Sequence, residues 1–513
     1  MLKNKFKLLF GLAPMAVIAT AVSCTTKVEE IQKKHDELSK EDLNVKYFEA
    51  LNAHKSSQAT KTSEYEAAKK AALQKPVDTK KASIAKAEEQ IKLDKEANAK
   101  LNEEIKKLEA EGKDASAQKA EVAAREARIE KNNEKITADK EALKEAEADL
   151  AHFNSLFPQL FANYKAAQAY ITYQPSKNEE ATRYEFAYPI ITNKASLDII
   201  KEVNALKNSK EYKELATTND KILYLSDYFL TYFDRRAKEL DPKAKNIFGG
   251  IPYFADRMFG NADTKERLVA LLNELDCFTY FDYVNAFLID SSNTEKGFME
   301  SLIKTRYAES KISYSTRKHF FTDWGYGEVK SESNPAGTIK IANDLVKAIT
   351  DETIRSQSVQ TVSPDRFKRN GKIVSDPSAI GEKREEVLKT VPIVPREIQY
   401  IDADSVTDEF MSTHFKSGDL LMLAAKESLN DWLDLTHCGY LVIRDGKAYY
   451  RNASSRKSNL SVVEIPLALY LAQQNWSSRY NQPEVGKQRT TPGVLVFRTL
   501  DPQAQLDSVN SGN

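Results

Sequence analysis

The stretch His437-Cys438-Gly439-Tyr440-Leu441-Val442-Ile443-Arg444-Asp445-Gly446-Lys447-Ala448-Tyr449-Tyr450-Arg451-Asn452-Ala453-Ser454 decides the fold. Two runs rich in β-branched and aromatic residues flank Asp445-Gly446, a dipeptide that favours a two-residue hairpin turn. The turn sets a register. Arg444 faces Lys447, Gly439 faces Asn452, and His437 faces Ser454. Side chains alternate along a strand, so His437, Asn452 and Ser454 share one face, and Cys438 and Arg451 take the other. An antiparallel pair carrying a histidine and two polar residues on one face is the nucleus of an α+β domain, and of a site.

Working upstream, the partner of that histidine is sought among three cysteines, Cys24, Cys277 and Cys438. Three are too few for a disulfide scaffold and are wrongly spaced for a zinc knuckle. Cys277 lies in Leu275-Asp276-Cys277-Phe278-Thr279-Tyr280-Phe281-Asp282-Tyr283-Val284, and Phe278, Phe281, Val284, Phe287 and Leu288 recur at helical spacing. The spacing predicts a helix starting at the cysteine with Asp276 as its cap. A thiol at a helix N-terminus sees backbone N–H groups and the positive end of the dipole, which favour the nucleophilic thiolate. The competing reading is a buried structural thiol. His437 as base and Asn452 as the group orienting its imidazole would complete what thiol acyl transfer needs, with Ser454 competing for the orienting role. Cys438, on the opposite face, reads as a small core residue, and a Cys277–Cys438 disulfide is disfavoured if His437 is the residue facing Cys277.

Composition divides the rest. Fifteen of 17 glycines lie at or after Gly249, and no Phe, Tyr or Trp occurs between Tyr65 and Phe153. Ile84, Ile91, Asn98 and Ile105 recur every seven residues, with Ala87, Asp94, Leu101 and Leu108 as the partner series. Beyond Gly112-Lys113-Asp114, the repeat resumes in Val122, Ile129, Ile136, Leu143 and Leu150. These heptads predict an antiparallel coiled-coil hairpin. Asp94, Asn98, Arg125, Asn132 and Asp139 weaken its seam, which leaves open a charged helix pairing only with a partner protein. The hairpin is expected over 61–152, as a spacer or docking arm. An aromatic-rich helical connector over 153–244 and a mixed domain over 245–505 follow. The polar, proline-bearing stretch 352–398 reads as a long loop.

At the N-terminus, Lys3, Lys5 and Lys7 precede an apolar run, Leu8 to Val22, ending in Ala21-Val22-Ser23-Cys24. About 15 residues is short for a membrane span, and small residues before a cysteine suggest processing. The pattern resembles a bacterial lipoprotein signal over 1–23. It implies lipidation of Cys24, a tether over 24–60, and a place in the cell envelope, periplasmic or outer-membrane associated.

The C-terminal half also carries a resemblance. Gly250-Ile251-Pro252-Tyr253, Leu275 to Tyr280, Arg306-Tyr307, Arg317 to Trp324, Gly418 to Leu421, Leu433 to Gly439 and Asn452 to Ser455 occur in that order. Together they resemble the N-acetylmuramoyl-L-alanine amidase-like family within the NlpC-type, papain-like murein cysteine peptidase superfamily. The resemblance implies a papain-like antiparallel sheet with the cysteine-bearing helix packed on it, and hydrolysis of amide bonds in peptidoglycan. It implies Cys277 as nucleophile and His437 as base, with Asn452 standing where relatives often carry histidine. Tyr253, Arg317, His319, Asp323, Trp324, Asp434 and Ser454 are the expected substrate-binding or supporting residues. Arg317 would grip a peptide carboxylate and Trp324 would wall the cleft.

Seventy-five basic and 75 acidic side chains cancel, which argues against a nucleic-acid binder relying on a global positive field. The histidines are too scattered for a metal's first ligands, and Phe248-Gly249-Gly250-Ile251 lacks the lysine and spacing of a phosphate loop. No cofactor or metal is expected. The expectation is therefore a lipid-anchored cysteine amidase or peptidase acting on peptide stems, its coiled coil available to a protein partner. The alternative is a non-catalytic lipoprotein that binds wall peptides and recruits partners.

Overall fold

The computed structural model describes residues 45–166, 170–173, 190–254, 268–310, 312, 316–326, 339–349, 357–363, 368–369, 372–373, 393 and 395–510. Cys24 and the leader lie outside the described residues.

Helices α1 (Val45–Ala110) and α2 (Ser116–Ala166) form a hairpin longer than the expected 61–152: α1 begins within the stretch read as a tether, and α2 runs into the stretch read as a connector. They are joined where glycine permits it: Gly112 sits at φ +68°, and the Lys113 amide donates to Leu108 O at 2.9 Å to close the first helix. Nothing lies within 4 Å of where a Gly112 side chain would start. Gly112→Ala therefore tests backbone conformation alone, and thermal melts of the full chain should show a loss of about 1 kcal/mol.

The heptad residues pair across the hairpin. Ile84, Ala87 and Ile91 pack with Ile136, and Ile105 packs with Ala115 and Val122. The polar seam residues also pair. Asp94 accepts two hydrogen bonds from Arg128, at 2.7 and 2.6 Å, and Asp139 accepts from Lys80 at 2.7 Å and Ser83 at 2.8 Å. Polar pairs in an otherwise apolar seam fix its register, because a slip would leave each charge against apolar neighbours. The helix thus finds its partner within the same chain.

The aromatic residues beginning at Phe153 continue α2 without a break. Phe153, Phe157 and Phe161, four apart on one face, stack at centroid separations of 4.3 and 5.0 Å. Tyr65 of α1 stacks on Phe233 at 6.0 Å. The Tyr65 hydroxyl donates to Gly250 O, and the Tyr164 hydroxyl donates to Asn273 O at 2.7 Å. The foot of the arm is therefore built into one core that also contains Cys277, Tyr440 and Phe497. Helices α3 (Lys194–Lys207), α4 (Thr218–Leu230) and α5 (Tyr232–Leu240) complete the connecting region.

Beyond it lie helices α6 (Cys277–Ile289), α7 (Glu295–Arg306), α8 (Thr322–Tyr326) and α9 (Leu467–Gln474). The main sheet has strands β1 (Ala342–Asp344), β2 (Gln357–Val362), β3 (Arg396–Asp402), β4 (Leu420–Ala424), β5 (Leu435–Arg444), β6 (Lys447–Ser454), β7 (Ser461–Pro466) and β8 (Gly493–Thr499). Their order is β7-β6-β5-β4-β8-β3-β2, with β1 also on β8, and every pairing is antiparallel. This is a mixed helix and antiparallel-sheet fold of α+β type.

The β5–β6 hairpin has the predicted register, Arg444 opposite Lys447 through Tyr440 opposite Arg451, and its turn residues Asp445 and Gly446 both have positive φ. Tyr280 and Phe281 of α6 pack on Tyr440, while Tyr470 of α9 packs on Tyr450. Tyr440 and Tyr450 belong to opposite faces of the hairpin, so the two helices cover opposite faces.

The stretch 352–398 is not simply a loop. Its described part supplies all of β2 and the start of β3, which pair from Gln357–Ile401 to Val362–Arg396. A strand at the sheet edge keeps one face wet, as exposed Val359 and buried Val362 show, and its polar composition hid it among the prolines.

Candidate active site

Cys277 is the first residue of α6. Asp276 caps the helix reciprocally with Thr279: the Thr279 amide donates to the Asp276 carboxylate at 2.7 Å, and the Asp276 amide donates to Thr279 Oγ1 at 2.9 Å. The segment entering the helix is fixed by backbone bonds. Leu275 N donates to Pro252 O at 3.2 Å, Phe254 N to Leu275 O at 2.9 Å, and Tyr253 N to Leu460 O at 2.8 Å. Tyr253 therefore lies beside the residue two before Cys277, held there by its backbone.

His437 stands near the start of β5, one residue past an irregularity between β4 and β5 at Thr436. The β5–β6 pairing, from Arg444–Lys447 to Tyr440–Arg451, ends before that bulge. His437 Nε2 lies 2.9 Å from Asn452 Oδ1. The Asn452 amide nitrogen donates to Tyr450 O at 3.3 Å, which turns its oxygen toward the ring. An oxygen can only accept, so Nε2 carries a proton and Nδ1 is left to meet the thiol. Tyr470 of α9 lies nearly parallel to the imidazole at 6.1 Å, and Tyr450 meets it edge-on at 5.9 Å. Ser454 is engaged elsewhere, accepting from Asn459 Nδ2 at 3.2 Å and from the Arg456 amide.

Cys438 and His437 are the groups that act on the Cys277 thiol. The Cys438 bond first, then the charge and hydrogen bond of His437, hold the Cys277 pKa well below that of an ordinary thiol, against burial. Burial disfavours the His437 imidazolium, but the Cys277 charge and the bonds to Cys277 and Asn452 outweigh it, so its pKa is raised. Burial and the Cys277 bond push the Cys438 thiol well up. The arrangement can therefore hold a thiolate–imidazolium pair.

Cys438 is the core residue expected: it is wholly buried in the main core, on the opposite strand face from His437, and that face is the one α6 covers. Its Sγ donates to Cys277 O at 3.1 Å. Adjacent residues of one strand, pointing to opposite faces, both reach Cys277 because the helix start lies near the strand's end.

The other expected residues divide. Asp434 accepts from the Thr322 amide at 2.8 Å, the Thr322 hydroxyl at 2.6 Å and the Leu435 amide at 2.6 Å, tying α8 to β5 three residues before His437. Asp323 accepts from the His319 and Phe320 amides at 2.9 and 3.1 Å and from Arg396 at 2.7 Å. Trp324 does not wall a cleft. It is fully buried, 4.5 Å from Phe278 and stacked at 4.2 Å on Phe281, behind the first turns of α6. Its polar neighbours Arg317, His319 and Asp323 hid the fact that α8 presents it to the core. His319 and Arg317 are half-buried, with Arg317 bridged by its backbone to Tyr307.

Further along α6, Asp282 accepts from Arg306 Nε at 2.8 Å, and Arg306 also donates to Val269 O at 2.7 Å, with both charged side chains essentially unexposed. Burial raises the Asp282 carboxyl to about 6 despite Arg306, and lowers the neighbouring Lys318 to about 8 despite Asp282. Sequence reasoning missed Arg396, Tyr470 and the contact of Cys438 with Cys277. No local signal marks the first two, and only the helix's place on the sheet reveals the third. Among the described residues no three His, Cys, Asp or Glu are placed to hold a metal ion, and no helix is long and apolar enough to cross a membrane.

Residues 243–477 match the family model described as N-acetylmuramoyl-L-alanine amidase-like. Among solved structures, an N-acetylmuramoyl-L-alanine amidase from Bacteroides uniformis is 21% identical, with a TM-score of 0.38 over 56% of this chain and 100% of that one. A Legionella pneumophila protein is 18% identical, with a TM-score of 0.40 over 60% of this chain and 94% of that one. No curated protein matches the chain.

Proposed function

We propose that the chain is a cysteine amidase or peptidase of the cell envelope that hydrolyses amide bonds of peptidoglycan peptide stems. The observation that carries this reading is Cys277 as the first residue of a capped helix, electrostatically linked to an imidazole anchored at 2.9 Å on Asn452. The amidase-like family match over 243–477 supports the substrate class.

In this reading, Nδ1 of His437 takes the Cys277 proton and the thiolate attacks the amide carbonyl carbon. The imidazolium then gives its proton to the departing amine, leaving a thioester on Cys277. Water, deprotonated by His437, cleaves the thioester to a carboxylic acid and restores the thiol. Asn452 holds the ring through Nε2–H in both charge states. The positive end of α6 favours the thiolate. Asp434 and Asp323 act as clamps on the segment carrying His319, while Tyr253, Arg317 and His319 are the side chains assigned to substrate. Cys24 is assigned as the lipid anchor and the arm as a docking surface for a protein partner.

The test is to incubate purified peptidoglycan fragments with the full chain and identify the new termini by mass spectrometry. One new amino group and one new carboxyl group from a single class of amide are expected, with release stopped by prior alkylation of Cys277. Release that survives complete alkylation, or no new termini at all, would defeat the proposal. A second check follows from the pKa directions. The Cys277 thiolate persists below the pH at which a free thiol protonates, and His437 keeps its proton above its usual range. Iodoacetamide should therefore modify Cys277 well above a free cysteine's rate near pH ~6, and the advantage should vanish as pH falls through the depressed Cys277 pKa.

A further inference from the structure

Cys438 has no part in the hydrolytic sequence, yet it is the buried thiol in closest relation to the nucleophile. Its Sγ donates to the carbonyl oxygen of Cys277 at 3.1 Å, which puts the two cysteines side by side. Both are free. Both are buried, and of the two Cys277 is the residue nearer the surface, 7% exposed against none for Cys438. Cys438 lies on β5, which is paired with β4 on one side and β6 on the other, so its thiol is held at the helix start.

We propose that Cys277 and Cys438 are a thiol pair that closes to a reversible disulfide when a peroxide oxidises Cys277, with Cys438 as the resolving thiol. The pairing stands whatever the site hydrolyses; its meaning as a protective off-state rests on Cys277 being the nucleophile. The steps balance. The Cys277 thiolate attacks one peroxide oxygen, the O–O bond breaks, and Cys277 becomes a sulfenic acid while the other oxygen leaves as hydroxide or alkoxide. The Cys438 sulfur then attacks the sulfenic sulfur, the S–O bond breaks, the disulfide forms, and water departs with the Cys438 proton. The two thiols lose two electrons together and the peroxide gains them. The pKa directions agree with this order, since the depressed group is Cys277 and the raised one is Cys438. Closing the bond withdraws the sulfur from further oxidation to sulfinic acid, which a thiol cannot reverse.

The experiment treats the full chain with a several-fold molar excess of hydrogen peroxide, enough for the two or three oxidations that sulfinic or sulfonic acid requires, blocks remaining thiols by alkylation, and maps peptides by mass spectrometry. The expected product is a Cys277–Cys438 linked peptide pair, about 2 Da lighter than the sum of its reduced halves and restored by dithiothreitol. In Cys438→Ser and Cys438→Val, the same treatment should drive Cys277 to species about 32 or 48 Da heavier that dithiothreitol does not restore. Irreversible oxidation of Cys277 in the unsubstituted chain, with no linked pair, overturns the proposal. So does a link from either cysteine to Cys24 in its place. The wild-type peptide map decides the matter even if a variant fails to fold. Because the readout is mass and not turnover, its failure is distinguishable from failure of the hydrolase reading.

Discussion

Cys277→Ala is expected to lower product release from peptide stems by roughly 10⁴-fold or more, and His437→Ala by a comparable factor. The thiol and the imidazole act as one unit, so the double variant should be scarcely worse than either single one. The residues supporting the pair should grade the effect. Asn452 accepts from Nε2, and without it the ring loses the partner that fixes which nitrogen faces the thiol. Asn452→Ala should cost roughly 10²-fold in kcat, with Cys277 still alkylating but with its pH profile moved toward that of a free thiol. Ser454→Ala should leave the rate near wild type, because its hydroxyl serves Asn459 and Arg456. A larger loss at Ser454 than at Asn452 would mean the wrong orienting group had been chosen. Full activity in Cys277→Ala would end the cysteine mechanism altogether.

The second large effect is on stability. Asp282→Ala is expected to destabilise the chain by about 3–5 kcal/mol, because it leaves the Arg306 guanidinium buried without its counter-ion. The pair is essentially unexposed, so solvent cannot replace the lost partner. Asp282 lies on the helix that starts at Cys277, and Arg306 ends the helix beside it. Loosening the pair should therefore also slow turnover in a protein that still folds. Chemical denaturation would read the first effect. A loss no larger than that of an exposed ion pair, under about 1 kcal/mol, would show the pair to be dispensable.

Much of this was legible in the sequence for identifiable reasons. The Asp445-Gly446 turn fixed a register because only left-handed backbone fits there, and the observed ladder keeps it. Asp276 announced the start of α6 because a cap and a helical apolar face coincide. The heptads around Ile84 and Ile136 announced the arm, and Gly112 its turn. What stayed hidden depended on which face meets which neighbour. Alternation puts Cys438 and His437 on opposite sides of β5 but says nothing about which side α6 will cover. Trp324 looked like a cleft residue because its polar neighbours are conspicuous, whereas its partners, Phe278 and Phe281, are remote in sequence. Strand β2 was lost among prolines because a wet edge needs no apolar run.

The closed hairpin of the arm has a mechanical consequence. The chain runs out along α1, turns at Gly112 and returns along α2, and both helices meet the core at the same foot, Tyr65 on one side and Phe157 and Phe161 on the other. From that foot to the turn is about 70 Å at 1.5 Å per residue. A single helix of that length would be a link in series, raising the C-terminal domain by its full span. The hairpin is a branch. Whatever holds the N-terminus gains no height from it, because the chain comes back to where it left. The arm instead carries its tip far from the core that holds Cys277 while staying attached to it at the foot, as a boom is fixed to a mast.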